Sequence, residues 1–438
     1  MTAIAFLIGV LVLVIGLALS IALHEVGHLV PAKLFGVRVG QYMIGMGPTL
    51  WSRRRGETEY GIKALPIGGY ISMAGMYPPA PEKQEASPRR SRLFATMVQD
   101  ARDANAETMI AGDDRVFYKL PVWKRIVIML GGPFMNLVLA FVFISIALSA
   151  IGVQTATTTV AAVSQCVIPA SAERTDCGPS DRLAPAAAAG VQPGDVIVSV
   201  DGTPVSTFAE AADIIQRSAG QALPVVISRD GVEQTVSITP QSTDRAVTDD
   251  RGRAVTDANG NPEYETVGFA GLLAQESLEP QPLWAGPQAT VQQIGSVAQI
   301  MTQLPVRVYD TAVDLFTGQE RDPNGPLSVV GAGRLAGEVA AVDAPIAARA
   351  GTILGLLGSL NIALFVFNLI PLLPLDGGHV VVALWDGLKR TIARIRGRVA
   401  APVDATRLVP ATFVVVVLLV AMGGILIAAD VFNPVRLF

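Results

Sequence analysis

The chain has 438 residues, too many for one compact domain, and its net charge of −4 gives no reason to invoke nucleic acid. Apolar residues make up 51% and charged residues only 16%, which excludes an ordinary soluble protein and suits membrane spans joined to one sizeable soluble part. Two cysteines, Cys166 and Cys177, cannot build a four-ligand metal site, and His24, His28 and His379 are the only imidazoles in the chain.

The first segment, residues 1–34, is predicted to cross a membrane from about Ala3 to Val30. It has no basic start and is too long for a cleaved leader. It ends in HEVGH, residues 24–28. On a helix, His24 and His28 lie one turn apart on one face, with Glu25 beside them. Two imidazoles at that spacing can hold one divalent metal, and the glutamate can serve as base for a water there. An ionisable residue in a span costs about 3 kcal/mol on insertion scales, so it needs a partner, and a cation supplies one. The string after His28, LVPAKLFGVRV, holds no further histidine or acid, which excludes a nearby third ligand of the soluble zinc-protease kind.

Residues 35–77 include GVRVGQYMIGMGPTLWSRRRGETEYGIKALPIGGYISMAG, a strand–turn–strand pattern broken by glycines. Extended backbone at membrane depth is tolerated only where protein buries it or it lines a wet cavity, so a small sheet dipping toward HEVGH is expected. Residues 78–120 are rich in Pro, Ala and charge and read as a mobile cytoplasmic loop with one short helix at most. Residues 121–153 form the second predicted span, with GGPFMN inside it; Asn136 there reads as an amide that packs helices.

Residues 154–270 change character. AAAAGVQPGDVIVSVDGTPV, a following helix, and LPVVISRDGVEQTVSITP around an Asp-Gly turn resemble a PDZ domain of the bacterial type. Asp195 and Asp201 read as turn formers. A PDZ fold offers a sheet edge to an extended peptide, and it can equally act by bulk, admitting only trimmed substrates. Residues 271–350 read as an amphipathic linker on the outer membrane surface, with Pro305 inside a helical pattern. The third span falls in residues 351–380, from about Gly351 to Leu375, and ends in NLIPLLPLDGGH, whose prolines and glycines break it and carry Asp376. A loop over 381–407 and a fourth span over 408–430 follow.

All six lysines lie between spans one and two or between spans three and four, so the positive-inside rule makes those loops cytoplasmic. Residues 153–350 then face outside, where Cys166 and Cys177 are expected to pair. A two-histidine site needs a third protein ligand. Asp376 is the carboxylate left among the spans, and it can serve only if the third span packs on the first.

HEVGH in the first span, GGPFMN in the second, the PDZ-like string between spans and NLIPLLPLDGGH late in the chain together resemble the site-2 protease family of intramembrane zinc metalloproteases. The layout is similar to the bacterial branch that cuts membrane-spanning anti-sigma factors. The resemblance covers nearly the whole chain, and the order of the motifs is more specific than any one of them. It implies a polytopic α-helical membrane protein of about four transmembrane helices, with a membrane-associated β-sheet and an inserted extracytoplasmic PDZ domain, in the plasma membrane. It implies Zn²⁺ held by His24, His28 and Asp376, Glu25 as the base, and a membrane-spanning substrate in the lipid bilayer. It also implies that the strands ending at LPIGGY, with Gly68, Gly69 and Tyr70, pair with unwound substrate, and that Asn368 helps hold it. Asn361 is available for that last role as well, and His379 reads as structural or supporting. Two other readings stay open on the residues alone. One is a membrane-anchored protease that cuts cytoplasmic chains, with a third ligand such as Glu85 from the loop. The other is a non-enzyme, a PDZ scaffold or an ion path through His24 and Glu25.

Overall fold

The structure is a computed structural model that describes residues 2–79, 92–110, 112–168, 176–178, 181–247, 263–319, 321–322, 325–398 and 402–435. The chain divides into two units, Met1–Ile151 with Gln281–Phe438, and Gly152–Pro280. Along the chain run α1 (Thr2–Leu34), β1 (Val39–Arg55), β2 (Thr58–Met73), α2 (Arg92–Glu107) and α3 (Val122–Ser145), which a π-helical turn over Ile146–Ile151 prolongs. The second unit holds β3 (Val153–Val163), α4 (Pro185–Ala188), β4 (Val196–Val200), β5 (Thr203–Pro204), α5 (Phe208–Arg217), β6 (Leu223–Arg229), β7 (Val232–Ile238), β8 (Gln241–Ala246), β9 (Tyr264–Phe269) and β10 (Leu272–Glu279). The first unit resumes with α6 (Ala285–Thr317), α7 (Val329–Ala341), α8 (Ile346–Asn368), α9 (Asp376–Ile395) and α10 (Val409–Phe432).

Among the described residues, four helical stretches are long and apolar enough to cross a membrane: Ala3–Leu34, Val122–Ile151, Ile346–Asn368 and Ala405–Phe432. Their exposed side chains are themselves apolar, as at Ile8, Leu11, Val417 and Leu418, which suits lipid and would be costly in water. Lipid supplies no hydrophobic drive between helices, so close contact must come from small residues and shared polar groups. Both are present. α1 and α3 cross backbone to backbone: a Cβ added to Gly27 would sit 2.2 Å from the Gly131 carbonyl oxygen, and one on Gly131 would sit 2.0 Å from that of Gly27. α8 is tied to α1 by Asn361, whose Nδ2 donates to Ser20 Oγ at 2.9 Å, with both residues fully buried.

Three segments differ from the sequence reading. The third span was expected within 351–380, but α8 ends at Asn368, and Asp376 opens the separate helix α9. Pro371 and Pro374 stop the helix, since neither can continue an i→i−4 ladder, and the chain turns through a cis Leu373–Pro374 bond. Gly377 and Gly378 let this turn fold down on α9, because a Cβ on either would meet Leu369–Leu373 backbone at 2.4–2.5 Å. The expected loop over 381–407 is largely the rest of α9. Residues 271–350 are not a surface linker: β10 belongs to the second unit's sheet, and α7 packs on α1, where a Cβ on Gly9 would lie 2.3 Å from the Ala336 carbonyl oxygen. A stripe of Gly and Ala reads as weak amphipathicity in sequence and as a contact face in three dimensions. Of the expected loop over 78–120, residues 80–91 and 111 lie outside the described residues. Arg92–Glu107 form α2, whose Arg102 pairs with Asp404 at 2.8 Å ahead of α10.

β1 and β2 do not form a plain hairpin. Residues 41–44 each face two partners in β2, one among 59–62 and one among 69–72, so the strands fold back into a small sheet. Tyr42 Oη fastens it to α1 by donating to the Ala22 carbonyl at 2.8 Å. A buried ion pair, Arg125–Asp386, fixes the first turn of α3 to α9, and Asp386 also accepts from the Val403 backbone N–H.

In the second unit the sheet order is β10-β3-β4-β6-β7, with β5 on β4 and a separate β8-β9 hairpin. Ile197, Val200, Ile215, Val225, Ile227 and Ile238 form its core. Thr207 and Glu210 cap α5 reciprocally. Asp230 and Gly231, at φ 51° and 82°, make the tight turn between β6 and β7. Cys166 and Cys177 are joined in a disulfide, with Cα atoms 5.9 Å apart. Asp195 does more than form a turn. Its carboxylate accepts from Gln192 N and takes both Nε and Nη2 of Arg229 at 2.8 Å, while only 1% exposed.

The Arg229 guanidinium holds the Asp195 carboxyl below the usual carboxylate range. A depressed native pKa contributes stability that is present above the unfolded value of about 3.9 and is lost as pH falls through the native value. Unfolding of the second unit in the intact protein, followed by pulse proteolysis, should therefore turn steeply easier below about pH 4. Asp195→Asn should remove part of that slope and destabilise the unit at pH 7 by about 2 kcal/mol. Identical acid profiles for the two proteins would contradict the assignment.

Candidate metal centre

HEVGH occupies the last turns of α1, where the helix meets α3 and α9. His28 is 5% exposed and Glu25 8%. The His24 and His28 Nε2 atoms lie 3.2 Å apart, and Asp376 Oδ2 lies 3.5 Å from the first and 3.4 Å from the second. These three residues are the one group of His, Cys, Asp or Glu, among the described residues, whose ligand atoms converge closely enough to share a metal. A zinc ion with bonds of about 2.0–2.2 Å at tetrahedral angles sets its ligands about 3.3–3.5 Å apart. The observed triangle has that size. Asp376 Oδ2 is buried and takes no hydrogen bond, which leaves a cation as the partner its charge requires.

The far nitrogens of both imidazoles are held. His28 Nδ1–H donates to the Ile128 carbonyl at 2.7 Å, which turns the Nε2 lone pair toward the centre. Asn136 lies 3.1 Å from His24 Nδ1 and is fully buried. The near atom is the amide Nδ2; a metal at His24 Nε2 puts the ring proton on Nδ1, and the amide then turns over so that its oxygen accepts that proton. The sequence reading took Asn136 for a packing amide; its position against His24 makes it an orienting residue as well. Gly132 supplies the room. A Cβ there would stand 2.2 Å from His28 Nε2 and 2.7 Å from His24 Nε2, inside the cradle itself. The two glycines of GGPFMN thus have separate functions, a helix crossing at Gly131 and open space against the imidazoles at Gly132. Neither is visible in sequence, because a helical glycine looks the same whatever faces it.

The other expected residues fall at different distances from this centre. Gly69 runs against the site: a Cβ on it would meet Glu25 Cγ at 3.0 Å and Ile21 at 3.3 Å. Gly68, at φ 76°, allows the irregular backbone just before it. Tyr70 Oη donates to Gln41 Oε1 at 3.2 Å and so secures the strand. Asn368 ends α8, with its Nδ2 on the Leu364 carbonyl at 3.0 Å, just ahead of the turn that leads to Asp376. Asn361 is spent on Ser20 and the helix interior. His379 stands outside the cluster and lines a small cavity with Tyr77, Phe117 and Arg125. Glu85, the alternative ligand, lies outside the described residues.

Two converging imidazoles, one of them buried, a carboxylate without a hydrogen-bond partner, a carboxylic acid one residue from His24 and a strand beside it are the parts a metal-assisted hydrolase needs. Comparison with known proteins agrees. The profile of Peptidase family M50 matches residues 12–404. Zinc metalloprotease Rip1 of Mycobacterium tuberculosis is 36% identical over 99% of both chains, and that of Mycolicibacterium smegmatis 34% over 99%. Metalloprotease MmpA of Caulobacter vibrioides is 27% identical over 88% of both chains. The chain belongs to peptidase family M50, the site-2 proteases, and is a zinc metalloendopeptidase of the membrane.

Proposed function

We propose that this protease cuts peptide bonds within membrane-spanning segments of its substrates, with His24, His28 and Asp376 as zinc ligands and Glu25 as general base. The observation that carries the reading is the convergence of three ligand atoms, 3.2–3.5 Å apart, on a space that Gly132 keeps open. Zinc bound there lowers the pKa of a water and polarises the scissile carbonyl. Glu25 takes the proton of the attacking water and returns it to the leaving amine. A substrate helix hides its peptide bonds in its own hydrogen bonds, so it must unwind before cleavage. The strand through Gly68, Gly69 and Tyr70 offers backbone partners to the unwound stretch, beside Glu25. Asn368 assists in holding it.

The substrate class we assign is the membrane-spanning anti-sigma factor, and the membrane is the plasma membrane, crossed four times. This assignment rests on motif order and the lysine distribution. The second unit is read as an extracytoplasmic PDZ domain. Its Asp-Gly turns, capped helix and disulfide support that reading. Its role is selection by size, admitting substrates that another protease has already trimmed.

Purified protein should hold about one zinc per chain. His24→Ala, His28→Ala and Asp376→Ala should each lose most of it, while Glu25→Gln keeps the metal and loses about 10²-fold or more in cleavage rate. Asn136→Leu should weaken zinc about 10–100-fold by freeing the His24 ring. Gly132→Ala should lose zinc, whereas Gly355→Ala, where a Cβ meets nothing within 4 Å, should not. Normal cleavage by Glu25→Gln would end the mechanism.

Deleting residues 160–240 should leave zinc in place and permit cutting of untrimmed substrate. If the deletion instead stops cutting of a pre-trimmed substrate with zinc still bound, the domain docks substrate and the size-selection reading fails.

A further inference from the structure

The two buried arginines among the described residues, Arg125 and Arg321, each have a carboxylate partner, as the half-buried Arg102 does. Four cations around one cleft do not. Lys33, Trp51, Arg53, Arg54, Arg55 and Tyr60 line a cleft of about 860 Å³ between the end of α1 and the turn joining β1 to β2. No acidic residue lines it, and none of the four cations makes an ion pair among the described residues. Lys33 Nζ instead donates to Tyr60 Oη at 2.7 Å and lies over that ring at 5.2 Å. Trp51 is 56% exposed. Arg54 stands opposite Glu59 in the strand register, whereas Lys33, Arg53 and Arg55 face no carboxylate in the cleft; charges of one sign held together in this way repel one another and favour an anion between them.

The depth of the cleft points to the source of that anion. Lys33 is the penultimate residue of α1, where the first apolar stretch ends. Nearby, Trp123 lies in the first turn of α3, is exposed, and stacks edge-on against Phe35 at 5.3 Å, with Lys124 over the Phe35 ring. Exposed tryptophan and lysine together at the ends of two spans mark the boundary between acyl chains and water. An arginine fork at that boundary meets phosphodiester oxygens and can bind them through paired hydrogen bonds.

We propose that this cleft is a binding site for the phosphate headgroup of an anionic phospholipid, taken by Arg53, Arg55 and Lys33 and flanked by Trp51 and Tyr60. Clusters of cations at the foot of a transmembrane helix are suited to such headgroups. The bound lipid would anchor the turn of the β1–β2 sheet at the membrane surface, while the far end of the same sheet passes Glu25.

The test is native mass spectrometry of the full-length zinc protein released from detergent. Three additives are compared: phosphatidylglycerol, phosphatidylcholine, and soluble glycerophosphoglycerol, which is the same headgroup without tails. Wild type should retain phosphatidylglycerol about tenfold or more better than phosphatidylcholine, and Arg53→Gln/Arg55→Gln should lose that preference while keeping its zinc. Arg394→Gln/Arg398→Gln, in a different basic cleft, should behave as wild type. Equal retention of the two lipids, or undiminished preference in Arg53→Gln/Arg55→Gln, overturns the proposal. Displacement of the lipid by equimolar soluble headgroup also overturns it, in favour of a free-phosphate site. Tight binding of a soluble acidic peptide without retention of phosphatidylglycerol would make the cleft a peptide site instead.

Discussion

The metal site proposed here brings three ionisable side chains together in an apolar environment, where a shared cation is the partner their burial favours, and the close packing of the first unit is arranged around that convergence. Each would cost about 3 kcal/mol on insertion scales without a partner. His24 and His28 come from a single helical turn, which the HEVGH spacing provides at no topological cost. The third ligand must come from elsewhere, and bringing it in requires α1, α3 and α9 to approach more closely than ordinary side chains allow. Gly27 and Gly131 let two backbones touch, Gly132 leaves space against His24 and His28 for the proposed metal, and Gly377 with Gly378 lets the turn after α8 fold onto the start of α9.

The helices that hold the centre are fixed by polar links that lipid cannot replace. Ser20 with Asn361 ties α1 to α8, and Arg125 with Asp386 ties α3 to the helix that begins at Asp376. Removing one partner of such a pair leaves an uncompensated polar group, so these links resist sliding of one helix along another. The β1–β2 sheet is held to the same frame by Tyr42 on the Ala22 carbonyl. Gly69 therefore meets Glu25 on a rigid support, which suits the substrate alignment we propose for this strand.

Much of this was legible in the sequence. The four apolar stretches are long, and i, i+4 histidines face one way on any helix. The Asp-Gly turns of the second unit are local signals that the structure repeats at Asp201 and Asp230. What was hidden depends on partners distant in sequence. Asn136 reads as a packing amide until His24 is seen beside it. The Gly and Ala positions of α7 read as a surface helix until Phe6 and Gly9 of α1 are set against them. Pro371 and Pro374 announced a break, but not that a new helix would start at Asp376, because the glycines after it resemble a loop until the turn packs on them. That Asn361 is spent on Ser20 was likewise hidden, because the two residues lie far apart in sequence.

The central claim is that two imidazoles from one helix and one carboxylate from another share a single zinc. X-ray absorption at the zinc edge of the purified protein tests it most directly. The account predicts a shell of nitrogen and oxygen ligands at about 2.0–2.2 Å with multiple-scattering features from two imidazoles, and the loss of one imidazole contribution in His28→Ala. A third imidazole, a sulfur ligand, or a spectrum unchanged by Asp376→Ala would contradict it.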